Sequence, residues 1–126
     1  MDVSEESTLC FLRAVSNRHR LMILRWILDP RQHFPPQRDG DLEDDGVCVG
    51  FITEKLGVTQ PTVTGHMQVL AEAGLVTSRK IKNWVFYKPR REAIREGLGG
   101  LRAALGPALD DAPLPGQPLE ETPLDR

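Results

Sequence analysis

Five residues near the middle of the chain, Gln60, Thr62, Thr64, Gly65 and Gln68, make a small polar face of the kind that reads base edges rather than breaks bonds. A glutamine amide can pair with adenine through two hydrogen bonds, and a threonine can donate, accept or pack its methyl group on thymine. They share one apolar-periodic segment with Val63, Met67 and Leu70, which fall on its other face at core spacing. Thr59 and His66 flank the polar face and are expected at the sugar–phosphate backbone. A second group follows: Arg79, Lys80, Lys82, Lys88, Arg90 and Arg91 succeed one another with no acid between them. Of these, Arg79, Lys80 and Lys82, with Asn83, surround a tight turn and suit phosphate contact or a minor groove. Trp84 and Tyr87 are read as braces for that turn rather than as stacking partners for bases.

Such groups need a helix and a hairpin to aim them. Gly57 stops one helical segment, Thr59 is placed to cap the next with its hydroxyl, and Pro61 occupies the first turn, where its missing N–H costs nothing. The reading helix then runs from Gln60 to Ala73 and ends at Gly74. Leu75–Ile81 and Trp84–Lys88 are rich in β-branched and aromatic residues, with Lys82-Asn83 as the hairpin turn. Upstream, Ser7 or Thr8 is placed to cap a first helix reaching Val15. Asn17 caps a second, with Leu21, Leu24, Trp26 and Leu28 inward and Arg18, Arg20 and Arg25 toward water, until Asp29-Pro30 ends it. From Arg31 to Gly46 the sequence holds Pro35, Pro36, two glycines and five acids with almost no apolar period, which predicts a long loop over residues 29–46. A third helix is expected from Val47 or Cys48 to Leu56, burying Phe51 or Ile52 and Leu56. A last one, Arg91–Leu105, carries Ile94, Leu98, Leu101 and Leu105 at alternating spacings of four and three, a seam that wants another helix against it. Gly97, Gly99 and Gly100 weaken this helix by about 1 kcal/mol each relative to alanine, so packing or close approach must hold it. The domain is expected to span residues 1–106, and the acidic, proline-rich tail 107–126 to be disordered.

The fold class is therefore mainly α with a small β-hairpin, in the order α-α-α-α-β-β-α of a winged helix-turn-helix. At 126 residues the chain makes one domain near the lower limit for a filled core, which favours association. Its formal charge of −2 hides a basic hairpin set against acids in Asp39–Asp45 and in the tail. Two cysteines are too few for a secreted disulfide scaffold, the first residues are acidic, and the longest apolar run is a few residues. These features predict a soluble cytoplasmic protein with no membrane partner.

Three stretches together resemble the ArsR/SmtB family of bacterial winged-helix repressors. They are Ala14–Leu24, the run Leu-Gly-Val-Thr-Gln-Pro-Thr-Val-Thr-Gly-His-Met-Gln-Val-Leu-Ala-Glu-Ala-Gly-Leu-Val ending at Val76, and Trp84-Val-Phe-Tyr87. The likeness covers Leu9 to Leu105. It implies a homodimer joined by the first and last helices, through Leu9, Leu12, Ile94, Leu98, Leu101 and Leu105. It also implies binding to an imperfect palindrome in double-stranded DNA, and release when an inducer binds. The chain departs from the family in two places: Gly65-His66 stands where members commonly pair histidines, and the 29–46 loop is much longer than usual.

The resemblance also implies where a metal or metalloid inducer would act, and those sites are incomplete. Metal-responsive members begin the third helix with Cys-x-Cys, two thiolates that hold a soft cation. Here Cys48 is followed by Val49-Gly50, so Cys48 could act as a thiol sensor only with help, for instance from Cys10 of another subunit. The Asp/His site on the last helix of other members is absent, since this helix has no histidine. His19, His33 and His66 are scattered. The acidic loop does not match a calcium-loop template and is read as a solvated segment that keeps the flank of the DNA surface from binding nonspecifically. No nucleophile with its base, paired carboxylates or phosphate-cradling loop is present, so no enzyme is expected. Two other readings remain open: a winged-helix module that grips another protein, and a DNA binder controlled by a protein co-regulator with no small-molecule inducer.

Overall fold

In the computed structural model, which describes residues 3–110, six helices frame a three-stranded sheet. The helices are α1 (Val3–Val15), α2 (Arg18–Leu28), α3 (Pro30–His33), α4 (Val49–Leu56), α5 (Gln60–Glu72) and α6 (Arg91–Asp110); the strands are β1 (Val47–Cys48), β2 (Val76–Ile81) and β3 (Trp84–Pro89). The sheet is antiparallel in the order β1-β3-β2. Ile23, Ile27, Val47, Ile52, Val63, Met67, Leu70 and Leu75 form a fully buried centre to which α2, α4, α5 and the sheet all contribute.

Several elements differ from the sequence reading, each for a local reason. Helix α1 begins at Val3, so Ser7 and Thr8 lie inside it, and Glu5 and Glu6 in its first turn complement the helix dipole. Asn17 does cap α2, accepting a hydrogen bond from the Arg20 N–H at 3.1 Å. The buried face of α2 is Ile23, Leu24, Trp26 and Ile27, while Leu21 is 51% exposed. Arg20 is not left to water; its Nε donates to the Ala14 carbonyl at 2.6 Å, at the C-terminal end of α1.

The loop after α2 is shorter than expected and better anchored. Pro30 starts the single turn of α3, and Phe34 and Leu42 are buried in the core. Val47 and Cys48 are not the start of a helix. They form β1, pairing Val47 with Tyr87 and Cys48 with Phe86, and α4 begins one residue later. Two residues are too few to show a strand period, and their partner lies far along the chain. Gly46 makes the turn into β1 with φ of 100°, and a Cβ there would collide with the Tyr87 carbonyl.

Helix α6 passes through Gly106 and Pro107 to Asp110, so 107–110 are helical rather than part of a disordered tail. Pro107 removes one hydrogen bond, to the carbonyl of Ala103, and Ala103 is exposed, where water can satisfy it. The remainder of the expected tail, 111–126, lies outside the described residues. Gly97 and Gly100 let α1 approach α6 closely: a Cβ at Gly97 would enter the Phe11 ring and one at Gly100 would meet Thr8 Oγ1. That close packing offsets their weak helix propensity.

Candidate nucleic-acid interface

The helix-turn-helix is built from α4 and α5. Gly57, with φ of 77°, turns the chain out of α4, and its N–H donates to the Thr53 carbonyl at 2.9 Å. Thr59 is the N-cap of α5 but makes no side-chain cap; its hydroxyl instead pairs with that of Thr62 at 2.9 Å, and Pro61 fills the first turn. At the other end Gly74 donates to Ala71 and Leu75 donates to Leu70, closing the helix through a left-handed glycine. Val63, Met67 and Leu70 are buried, so the opposite face of α5 is turned outward. Gln60, Thr62, Thr64, Gly65 and Gln68 are all exposed on it, Gln68 within 3.4 Å of Glu72. A Cβ at Gly65 would meet nothing within 4 Å, so no contact inside the chain requires glycine there.

His66, expected at the sugar–phosphate backbone, is also engaged within the chain. Its ring is half-buried against α2, where Arg20 Nη1 donates to Nδ1 at 3.3 Å and the His19 ring stands edge-on at 5.4 Å. Burial first, then the Arg20 and His19 charges, hold its pKa below 6.5. Arg20 thus ties the end of α1 to α5, a link missed because an arginine on an amphipathic helix reads as solvent-facing.

The hairpin is two strands joined by Lys82-Asn83, with Ile81 opposite Trp84 and Lys82 at φ of 57°. Lys80, Lys82 and Asn83 are exposed, as is Arg79. Two of these cations are not free for phosphate, however, because Arg79 and Lys82 are paired to Asp45 and Asp39 of the loop. Asp41, Glu43 and Asp44 of the acidic loop are exposed, as a solvated segment requires, whereas Asp39 and Asp45 are partly buried against these cations.

Cys10 and Cys48 are both free thiols and line different clefts, Cys10 between α1 and α6, and Cys48 beside Phe51 and Trp84 in a space of about 380 Å³. A Cβ at Gly50 would sit 3.8 Å from Cys48 Sγ, so the glycine falls where a second thiol would have to stand. No group of three or more His, Cys, Asp or Glu side chains is gathered for a metal among the described residues. Among the expected seam residues, Ile94 is buried in this chain's own core, Leu9, Leu12 and Leu101 are partly buried, and Leu98 and Leu105 are 55% and 57% exposed. Leu109, 63% exposed, extends that face beyond its expected end.

Comparison with known proteins agrees with this geometry. The family model for bacterial regulatory proteins of the arsR family matches residues 42–78, from the loop through the helix-turn-helix into β2. The uncharacterized HTH-type transcriptional regulator YbzH of Bacillus subtilis is 42% identical over 82 residues, covering 65% of this chain and 82% of its own. The chain belongs to the ArsR family. As an ArsR-family protein it is a DNA-binding transcriptional regulator and not an enzyme. The putative arsenical resistance operon repressor ArsR2 of Halobacterium salinarum is 43% identical over 61 residues, although the match spans only 47% of this chain and 51% of that one. The winged-helix fold is shared with HlyU from Vibrio cholerae, at a TM-score of 0.60 and 24% identity over 82% of this chain and 97% of that one. No helix among the described residues is long and apolar enough to cross a membrane.

Proposed function

We propose that this ArsR-family chain is a sequence-specific repressor that binds a palindromic operator as a homodimer in the cytoplasm and is released or modulated by a signal. The observation that carries the reading is the split surface of α5. One face is locked into the core by Val63, Met67 and Leu70, so the other presents Gln60, Thr62, Thr64, Gly65 and Gln68 in a fixed direction. A rigid helix with short polar side chains in its first turns fits the major groove, where each base pair shows a distinct donor and acceptor pattern. Gln60, Thr62 and Thr64 read bases, Gln68 reaches the flank, and Thr59 with the hairpin tip touches backbone. The exposed leucines of α6 join two copies, which places two reading helices on two half-sites. The named repressor among the relatives supports the direction of regulation.

Operator selection from a random duplex library, followed by titration of Gln60→Ala, tests this docking. The variant loses about 1–3 kcal/mol on the selected operator and little on random duplex. Equal binding of wild type and variant to both duplexes would place base reading elsewhere. Binding to duplex DNA that does not weaken with salt would instead favour a protein-gripping module, because phosphate neutralisation always carries a steep salt slope.

A further inference from the structure

Strand alternation gives the hairpin two chemically different faces. Arg79 pairs with Phe86 and Ser78 with Tyr87, so Arg79, Phe86 and Lys88 share one face, and Lys80, Val85 and Tyr87 the other. Tyr87 belongs to the core and Val85 packs against it, whereas Phe86 is buried outside that cluster. Part of what covers Phe86 is the acidic loop: a Cβ at Gly40 would lie 3.2 Å from the Phe86 ring.

On the loop-covered face each basic side chain is already engaged. Arg79 Nη1 donates to Asp45 Oδ1 at 2.6 Å, and Lys88 Nζ donates to the Asp44 carbonyl at 3.1 Å. At the turn, Lys82 Nζ donates to Asp39 Oδ1 at 3.0 Å. Lys80, on the other face, has no ion-pair partner among the described residues. The selection is therefore by face and not by charge density alone.

The loop is fixed in place rather than drawn over by charge. Phe34 and Leu42 anchor it in the core, and Gln37 spans it, accepting from the Cys48 N–H at 2.6 Å and donating to the Gly46 carbonyl at 3.0 Å. Within it, Asp41 Oδ2 accepts from the N–H groups of Glu43 and Asp44 at 2.9 Å each, and Asp45 Oδ2 accepts from the Asp41 N–H at 2.7 Å. Asp39 and Asp45 are thus presented to the wing cations by a preformed frame.

We propose that Asp39 and Asp45 are a built-in competitor for DNA phosphate, and that they set how strongly the wing holds DNA of any sequence. The inference rests on the DNA-docking reading of the hairpin given above. A phosphate that reaches Arg79 or Lys82 must displace a carboxylate already tethered beside it, which acts at a high local concentration. Binding to random DNA is almost wholly phosphate neutralisation, so it loses the contribution of both cations, while operator binding keeps the base contacts of α5. Among the large excess of random sites in a genome, a weak nonspecific grip is what lets a regulator reach its operator.

The test is the salt dependence of binding to a random-sequence duplex, measured for wild type, Asp39→Asn, Asp39→Asn/Asp45→Asn and Glu43→Gln. Asparagine keeps the acceptor for the Asp41 N–H while removing the charge. Glu43 pairs with Arg31, away from the wing, and controls for the change in net charge. The double variant steepens the slope by up to about 2, so that between about 50 and 200 mM salt its affinity falls about tenfold further than that of wild type. Asp39→Asn, which leaves the Asp41–Asp45 bond untouched, gives about half that change, and gives none when combined with Lys82→Ala. Glu43→Gln keeps the wild-type slope. A double variant whose slope matches wild type or Glu43→Gln overturns the competitor proposal while leaving the docking reading intact. A wild type with no salt-dependent binding to any duplex overturns both.

Discussion

His66 lies on α5, but its ring is committed to α2. A guanidinium can only donate, so His66 Nδ1 is the acceptor from Arg20, and the neutral ring holds its proton on Nε2. Protonation would remove that acceptor and set a positive ring against Arg20, beside His19. Because the folded pKa is depressed below 6.5, the stability His66 contributes is present in full above 6.5 and is lost as pH falls through the lower folded value. The depressed Asp41 and Asp45 carboxyls, held down first by backbone N–H donors and then by Arg31 or Arg79, lose their contribution only below 3.8, outside this window. Urea midpoints measured from about pH 7 to pH 5 therefore fall more for wild type than for His66→Gln, which cannot titrate there. Parallel pH profiles for the two proteins would show that His66 does not couple protonation to folding.

At the scale of elements, the passage from the loop into β1 depends on one residue. Gly46 combines a left-handed φ of 100° with a position directly over the Tyr87 carbonyl, whereas Gly57 has φ of 77° and nothing within 4 Å of a Cβ. Gly57→Ala pays the conformational penalty alone, about 1–2 kcal/mol. Gly46→Ala adds a clash with backbone that cannot rotate away, so its loss in chemical denaturation exceeds that of Gly57→Ala by about 1 kcal/mol or more. Equal losses would mean that β1 shifts freely on β3. The same contrast explains what the sequence made legible. Helix α5 and the hairpin carry their own punctuation in Gly57, Pro61, Gly74 and Lys82-Asn83, and their apolar periods run long enough to read. Strand β1 is two residues long and α3 is four, too short for any period. Neither can be seen without the distant partner that stabilises it. The candidate site divides in the same way. The polar face of α5 follows from local spacing, but the ion pairs joining Arg79 to Asp45 and Lys82 to Asp39 span 34 and 43 residues, and charges sorted apart in sequence meet only in the fold.

For the whole molecule, the unresolved demand is the apolar face of α6. Leu98, Leu105 and Leu109 are more than half exposed, while α1 already covers the Gly97 and Gly100 side of the same helix. Leu9 and Leu12 of α1 border a shallow apolar cleft shared with Leu101, Ala104 and Leu105, so the two helices form one continuous surface. In the proposed homodimer a second copy brings the same surface against it, and a two-fold pairing of this kind is what the proposed palindromic operator requires of its reader. A charge placed at the centre of such a seam is desolvated without a partner and opposes its own copy, a penalty of several kcal/mol per dimer. Leu98→Glu/Leu105→Glu accordingly sediments as a monomer at concentrations where wild type is a dimer, with unchanged helical content because both positions face out of the chain's own core. On DNA the variant still occupies a single half-site through α5 but loses the gain that linking two half-sites gives, commonly a hundredfold or more. A variant that remains dimeric would move the interface off α6, and a monomeric variant with full operator affinity would separate dimerisation from DNA recognition.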